Sequence, residues 1–147
     1  DIPVYVDPKK ENFFAYKGVR LFKPNMTEFE TALSGEHDYK DFESSGTELR
    51  KKLGTEILMV TRGERGISLF SDQGMHTIET KARKVHDVSG AGDTAISAFV
   101  LADLAGATIE EAAQISNYAA GRVCEEVGVV PITLEMLDEI VEHYNDH

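Results

Sequence analysis

A glycine-rich loop runs straight into a long apolar segment at Asp87-Val88-Ser89-Gly90-Ala91-Gly92-Asp93-Thr94, and the apolar segment continues through residues 95–105. Glycine and alanine let the backbone turn sharply and let a ligand come close to it. The first N–H groups of a helix have no acceptor inside the helix, and the helix dipole makes that end partly positive. We therefore predict a tight loop that opens a helix and offers phosphate an anion-binding site.

Asp93 is the residue that does not suit a simple anion site. Its carboxylate would repel a bound phosphate, unless it accepts the proton of a hydroxyl group that attacks the phosphate. An acid in the first turn of a helix is equally explained by its interaction with the helix dipole, and spacing alone leaves both interpretations open. The loop matches neither G-x-x-x-x-G-K-[ST] nor G-x-G-x-x-G, so the two commonest nucleotide-binding loops are excluded.

Composition sets limits on the class of protein. The 147 residues are 41% hydrophobic, which is enough for one globular domain with a core. The net charge of −11 argues against nucleic acid and anionic membranes as partners. No apolar run reaches the roughly 18 residues of a membrane span. The single cysteine, Cys124, cannot form an internal disulfide, so we expect a cytoplasmic protein.

The hydrophobic pattern alternates between strands and helices. Residues 38–53 read as a surface helix that is broken at Gly46. The helix after the loop has Ile96, Phe99, Val100 and Leu104 available for burial. The alternation favours an α/β fold with a parallel sheet and an inserted β-ribbon. The predicted strands are 2–6, 19–22, 56–61, 67–70 and 75–78. After residues 38–53, the predicted helices are 94–105, which follows the loop, 109–127 and 134–144.

Residues 87–100, DVSGAGDTAISAFV, resemble the C-terminal signature of the ribokinase-like (PfkB) sugar kinases. Residues 6–30, VDPKKENFFAYKGVRLFKPNMTEFE, and 116–137, SNYAAGRVCEEVGVVPITLEML, resemble the kinase domain of the heptose-7-phosphate kinase/ADP-heptose synthase family. The resemblance covers nearly the whole chain but only the second half of that domain. It implies that residues 1–147 form the C-terminal half of an α/β/α sandwich, the nucleotide-binding and catalytic-loop part of a single kinase domain whose N-terminal half is absent.

Asn25 and Glu28 have the spacing of a capping box, with asparagine as the N-cap and glutamate three residues later. The same pair resembles the N-x-x-E motif of ribokinase-like enzymes, which helps to place magnesium and the phosphates. A glutamate at a helix start could hold a hydrated Mg²⁺ through water. The structural and the functional interpretation can both be true.

Two segments of the chain could line the nucleotide and its phosphates. Asp7 follows a strand, where open α/β sheets place ligand-facing residues, although Asp-Pro is also an ordinary turn. The resemblance makes Asp7 and Lys9 neighbours of the phosphoryl-transfer site. It also makes Thr61-x-Gly63-x-x-Gly66 part of the nucleotide wall.

Asn117 opens a segment rich in small residues on a predicted helix, Asn117-Tyr118-Ala119-Ala120-Gly121. In relatives this position lines the adenine pocket, so the resemblance makes Asn117 an adenine contact. Plain packing between two helices is the alternative. Arg62 and Arg65, in the predicted nucleotide wall, are expected either to face solvent or to contact phosphate.

The resemblance implies in-line phosphoryl transfer from MgATP to a sugar hydroxyl. Asp93 would accept the proton, the N–H groups of Gly90, Ala91 and Gly92 would stabilise charge on the transferred phosphoryl group, and Asn25 and Glu28 would hold the metal and its waters. Relatives often bind a monovalent cation such as K⁺ beside this loop, here through backbone carbonyls around Asp87 and Ser89.

The heptose resemblance points to one acceptor, the anomeric hydroxyl of D-glycero-D-manno-heptose 7-phosphate, on the route to lipopolysaccharide core precursors. The alternatives are a kinase for ribose, fructose or a related sugar and, for this chain by itself, a non-catalytic nucleotide-binding fragment. We expect this chain alone to be inactive and the complete protein to be a homodimer. The chain has no His-x-Gly-His motif, so we expect no adenylyltransferase activity from it.

Overall fold

Five strands form one sheet in chain order in the computed structural model, which describes residues 1–34, 41–80, 88 and 90–145. The first three strands pair in parallel, the third and fourth are antiparallel, and the fifth adds to the fourth. The predicted α/β class, the mostly parallel sheet and the inserted β-ribbon are therefore confirmed. The strands are β1 (Tyr5–Val6), β2 (Leu21–Phe22), β3 (Ile57–Thr61), β4 (Ile67–Ser71) and β5 (Gly74–Ile78).

The chain divides into two compact units, residues 1–77 and 78–147. The first unit holds the sheet, a 3₁₀ helix (Lys10–Ala15), α1 (Met26–Leu33) and α2 (Phe42–Leu53). Strand β3 is an unbroken apolar run because it is buried along its whole length up to Thr61. Phe42 joins α2 to the core through edge-to-face contacts with Phe29 and Phe70, with ring centroids 5.2 and 5.4 Å apart.

Gly46 does not break α2, and the predicted break is wrong. The helix runs continuously from Phe42 to Leu53 and ends at Gly54 in the left-handed conformation, whereas the predicted residues 38–40 lie outside the described part of the chain. Gly46 is buried, and a Cβ added to it would overlap the ring of Phe70. The glycine is needed because α2 packs directly on β4 at this point, a long-range contact that the local pattern does not reveal.

The second unit is built on α3 (Ala91–Leu104), α4 (Ile109–Cys124) and α5 (Leu134–Asn145). Of the side chains expected to be available for burial on α3, Phe99 is fully buried, whereas Leu104 is 64% exposed. The buried stripe is made mainly of Ala95, Ala98 and Ala102. Small side chains let two helices approach closely, and α4 presents alanines of its own to the core.

Arg122 connects α4 to α5. Its guanidinium donates from Nε to Glu139 at 3.1 Å and from Nη1 to Glu126 at 2.6 Å. These hydrogen bonds, the one to Glu126 first, raise the pKa of the Arg122 guanidinium above its usual value. Helix α4 ends at Cys124, earlier than the predicted end at Val127. Within the described ranges, no helix combines the length and the apolar character that crossing a membrane requires.

Candidate active site

The carboxyl ends of the three parallel strands carry polar residues at one edge of the sheet in the first unit. Asp7 follows β1, Lys23 follows β2, and Thr61 ends β3. The Lys23 ammonium lies 3.4 Å from Asp7 Oδ1. Asn25 pairs with Thr61 in an isolated parallel bridge, in which the Thr61 N–H donates to Pro24 O at 3.1 Å. The structure thus brings Asp7, Asn25 and Thr61 to the edge where parallel sheets place ligands.

Lys23 is a residue of this edge that the sequence reasoning missed. Its side chain is only 3% exposed, against 22% for Asp7. A lysine is almost never this buried without a partner of opposite charge, and Asp7 is the carboxylate that the structure places beside it. The available signal was a lysine directly after a buried strand. Lys9, by contrast, is exposed at the N-cap of the 3₁₀ helix.

Asn25 and Glu28 form the predicted capping box at the start of α1. The Asn25 side chain accepts from the Glu28 N–H at 2.8 Å, and Glu28 Oε2 accepts from the Asn25 N–H at 2.8 Å. The structural interpretation of the pair is therefore confirmed. A carboxylate has two oxygens, and the cap occupies only one of those on Glu28. The second oxygen remains for a water molecule of a metal ion, so the metal interpretation stays a prediction that is compatible with the cap.

The loop after β3 is closed by its own backbone. The Arg62 N–H donates to Gly66 O at 2.8 Å, and Gly63 and Gly66 both have positive φ, of 59° and 81°. Gly63 is exposed, and a Cβ added to it would meet no atom of the described residues within 4 Å. Gly66 is buried. The turn therefore leaves the backbone at Gly63 open to a ligand. Its place in a nucleotide wall stays a prediction.

Arg62 is half-buried in this structure. Its guanidinium lies 4.7 Å from the centroid of the Phe42 ring, and Nη1 donates to Ser68 Oγ at 3.1 Å. Stacking and hydrogen bonding hold the turn to α2 and β4. The contact comes from Phe42, which lies in a distant part of the chain, and a phosphate contact of Arg62 stays a prediction.

The predicted anion loop leads into α3 in the second unit. Gly90 is the N-cap residue, with φ of 78°, and a Cβ added there would lie 3.3 Å from Val129 Cγ1. The Ala91 N–H already donates to Val88 O at 3.2 Å. Within the described part of the chain, the N–H groups of Gly92 and Asp93 have no acceptor. These two donors, with the dipole of a 14-residue helix, form the open positive end.

Asp93 occupies the third position of α3 and is exposed. In α1 and α4 the glutamate at this position reaches back to the N-cap N–H and completes a capping box. In α3 the N-cap is a glycine without a side chain, and the Asp93 carboxylate has no hydrogen bond or ion pair among the described residues. The carboxylate is therefore not used for capping as its counterparts are. It is available to a ligand beside the open N–H groups.

Asn117 lies on α4 and is 5% exposed. Its Oδ1 accepts from Thr80 Oγ1 at 3.0 Å, and its Nδ2 donates to Glu79 O at 2.9 Å. The amide thus holds the chain that follows β5, a contact that differs from both the adenine contact and the packing between two helices that the sequence suggested. Its predicted contact with adenine stays a prediction. Asp87 and Ser89 lie outside the described residues, so the predicted monovalent-cation site there also stays a prediction.

Comparison with known proteins gives the same fold. The chain is 38% identical over 141 residues to the Bifunctional protein HldE of Marinomonas sp. (strain MWYL1), covering 95% of this chain and 30% of that protein. The phosphofructokinase-2 from Escherichia coli in complex with substrates and products superposes with a TM-score of 0.80 at 18% identity, over 93% of this chain and 46% of that one. The ribokinase from Arabidopsis thaliana complexed with ribose and ATP superposes with a TM-score of 0.72 at 25% identity, over 84% of this chain and 41% of that one.

The chain spans less than a third of the curated relative and less than half of each solved kinase. The family model described as pfkB family carbohydrate kinase matches residues 1–135. That match takes in the whole strand edge, the capping box of α1, the loop before α3 and Asn117. On this evidence of sequence and fold together, the chain belongs to the pfkB family of carbohydrate kinases.

Proposed function

We propose that the protein containing this chain is an ATP-dependent kinase that phosphorylates the anomeric hydroxyl of D-glycero-D-manno-heptose 7-phosphate. Family membership and the similarity to Bifunctional protein HldE support the reaction class and the type of sugar. The observation that carries the chemistry is the Asp93 carboxylate, which is exposed and without a partner among the described residues, beside the open N–H groups of α3. A cytoplasmic homodimer is the expected form of the protein.

In the proposed reaction the sugar oxygen forms a bond to the γ-phosphorus while the bond from that phosphorus to the ADP oxygen breaks. Asp93 accepts the proton of the attacking hydroxyl, so no oxonium charge accumulates. The N–H groups of Gly92 and Asp93, at the positive end of α3, stabilise the negative charge on the transferred group. Gly90 supplies the positive φ that turns the chain into this geometry.

A divalent metal fits the Asn25–Glu28 pair in one specific way. No group of three or more histidine, cysteine or acidic side chains able to hold a metal ion occurs in the described ranges. Glu28, however, offers the carboxylate oxygen that the cap does not use. Mg²⁺ typically keeps several waters and takes its other ligands from phosphates and one or two carboxylates. We therefore assign Glu28 to a water of Mg²⁺, which would neutralise phosphate charge when bound.

The test is ADP release by the complete protein with ATP and a panel of sugars: D-glycero-D-manno-heptose 7-phosphate, ribose and fructose. We expect kcat/KM for the heptose phosphate to exceed that for the others by at least about 10²-fold, because a site built to bind the 7-phosphate is left with unpaired charges by the neutral sugars. A preference for ribose or fructose would replace the substrate but keep the kinase. Nucleotide binding without sugar-dependent ADP release would reject catalysis altogether.

A further inference from the structure

Arg62 joins the turn after β3, residues 62–66, to the other elements of the first unit. Its guanidinium stacks on the Phe42 ring of α2, 4.7 Å from the ring centroid, and its Nη1 donates to Ser68 Oγ on β4 at 3.1 Å. The Ser68 hydroxyl also lies 3.2 Å from Thr77 Oγ1 on β5. One side chain therefore connects the turn to α2 and, through Ser68, to both strands of the β-ribbon formed by β4 and β5.

Both partners of the Arg62 side chain are fixed by the core. Ser68 is 0% exposed. The Phe42 ring makes edge-to-face contacts with Phe29 and Phe70, which are themselves 0% and 1% exposed. Close packing leaves a buried hydroxyl and a ring held on two sides little room to follow the guanidinium. The folded core therefore sets the direction of the Arg62 side chain.

The turn is closed by its own backbone, but its other side chains do not join it to the core. Residues 63–65 are exposed, Arg65 among them, and Gly66 is buried but has no side chain. The Gly66 N–H donates to Gly63 O at 3.0 Å, so this hydrogen bond lies within the turn. Such a bond fixes the shape of the turn and not its place at the edge of the sheet. Arg62 carries the one side chain of this turn that is not exposed, and it can set that place.

Packing alone does not favour arginine at this position. The Arg62 Nε is buried and has no hydrogen-bond partner among the described residues. An unpaired buried donor is destabilising, and an aliphatic side chain would avoid this effect. The planar guanidinium does what an aliphatic chain cannot do, because it stacks on the Phe42 ring and donates to Ser68 at the same time. The two contacts together hold the side chain in one orientation.

We propose that Arg62 is a positioning residue that holds the exposed Gly63 backbone where it receives the nucleotide, an inference that rests on the proposed kinase function. Gly63 follows Arg62 directly, and its φ of 59° turns its backbone outward from the strand. Without the anchor, the turn would occupy its binding position for only part of the time. The apparent affinity for ATP falls in proportion to that fraction, whereas saturating ATP restores the position. Loss of the anchor therefore raises KM for ATP more than it lowers kcat.

The experiment compares Arg62→Met and Phe42→Leu with Arg50→Met in the complete protein, by calorimetry with ATP and by steady-state kinetics. Arg50 is the matched control because it is also half-buried and donates from Nε to Glu56 O at 2.9 Å, at the opposite end of β3. Both arginine variants lose the same charge. At a temperature well below unfolding, we expect Arg62→Met and Phe42→Leu to raise Kd and KM for ATP about 5- to 30-fold, with kcat within about threefold. Arg50→Met should keep all three values.

Arg62→Lys separates the anchor from a direct phosphate contact. Lysine binds phosphate as a point charge but lacks the planar guanidinium, so the proposal predicts that Arg62→Lys loses as much ATP affinity as Arg62→Met. Near-wild-type affinity in Arg62→Lys or in Phe42→Leu would overturn the proposal, because both variants keep a positive charge at residue 62 and lose the stack.

The remaining outcomes are decided by the control and by the wild-type protein. Equal losses of ATP affinity in Arg62→Met and Arg50→Met would also overturn the proposal, because they would show only a general loss of stability. If the wild-type protein binds no ATP, the proposed kinase function fails, and this role of Arg62 fails with it. Normal ATP affinity in every variant would reject the positioning role alone and leave the kinase function in place.

Discussion

Glu28→Gln should separate the structural from the metal-binding part of the Asn25–Glu28 pair. Glutamine keeps an amide oxygen that can accept the Asn25 N–H, so the capping box survives the substitution. The change removes the negative charge, together with the second carboxylate oxygen that we assign to a water of Mg²⁺. The chain offers a matched control in the capping box of α4, where Glu111 Oε2 accepts from the Thr108 N–H at 2.8 Å, the same distance as in α1.

The expected loss of stability is small in both variants, whereas the expected loss of activity is large only in Glu28→Gln. Each variant loses the interaction of one charge with a helix dipole, about 0.3–1 kcal/mol. For a domain of this size that corresponds to a fall in melting temperature of about 1–4 °C. Groups that act on a metal through a water or a neighbouring ligand typically change metal affinity or activity by about 10- to 100-fold. Glu28→Gln should therefore lose about 10- to 100-fold in activity at limiting Mg²⁺, and Glu111→Gln should lose essentially none.

The assay is ADP release by the complete protein as Mg²⁺ is titrated at fixed ATP and sugar, with melting temperature measured on the same samples. We expect the Glu28→Gln curve to shift to higher Mg²⁺, while the Glu111→Gln curve overlays that of the wild type. The reasoning is refuted if both variants show the same Mg²⁺ dependence and the same small loss of stability. Glu28 would then serve only to cap α1.

Two further predictions concern the first unit. Gly46→Ala should lower the free energy of unfolding by about 1–2 kcal/mol in denaturant titrations. The overlap with the Phe70 ring should outweigh the gain of about 1 kcal/mol in helix propensity. A stabilised variant would show that α2 can move away from β4. Asp7→Ala should lower the free energy of unfolding by about 3 kcal/mol, because it leaves the buried Lys23 ammonium unpaired. Lys23→Met should cost less than half as much, because Asp7 reaches water. Equal losses of stability would mean that the ion pair does not govern this edge.

Local chemistry made part of the fold predictable. The two capping boxes, at Asn25 and Thr108, depend on residues three positions apart, so their spacing in the sequence was sufficient. The α/β class and the mostly parallel sheet also followed from the alternation of strand and helix patterns. The buried face of α3 could not be predicted, because a helix that is apolar on most sides gives no signal for the side that packs. Which side is buried depends on the alanines of α4, and those contacts are long-range.

The candidate site shows the same division. Asp93 was predicted from its loop because a glycine-rich turn before an apolar helix is a local pattern. Lys23 was missed because lysine is usually exposed, and only the packing of β1 beside β2 buries it against Asp7. The contact of Arg62 with Phe42 was not predicted, because Phe42 lies on α2, far away in the sequence. Residue type indicates what a side chain can do, whereas its partners are set by tertiary contacts.

The most direct test of the proposed function is Asp93→Asn in the complete protein, with kcat measured by ADP release and ATP affinity measured by calorimetry. Asparagine keeps the size of the side chain but cannot accept the proton, so we expect kcat to fall by about 10²–10⁴-fold. ATP affinity should stay unchanged or improve, because a negative charge beside the γ-phosphate is removed. Turnover within about tenfold of wild type, together with a lowered melting temperature, would contradict the proposed function and leave Asp93 as an acid that only complements the dipole of α3.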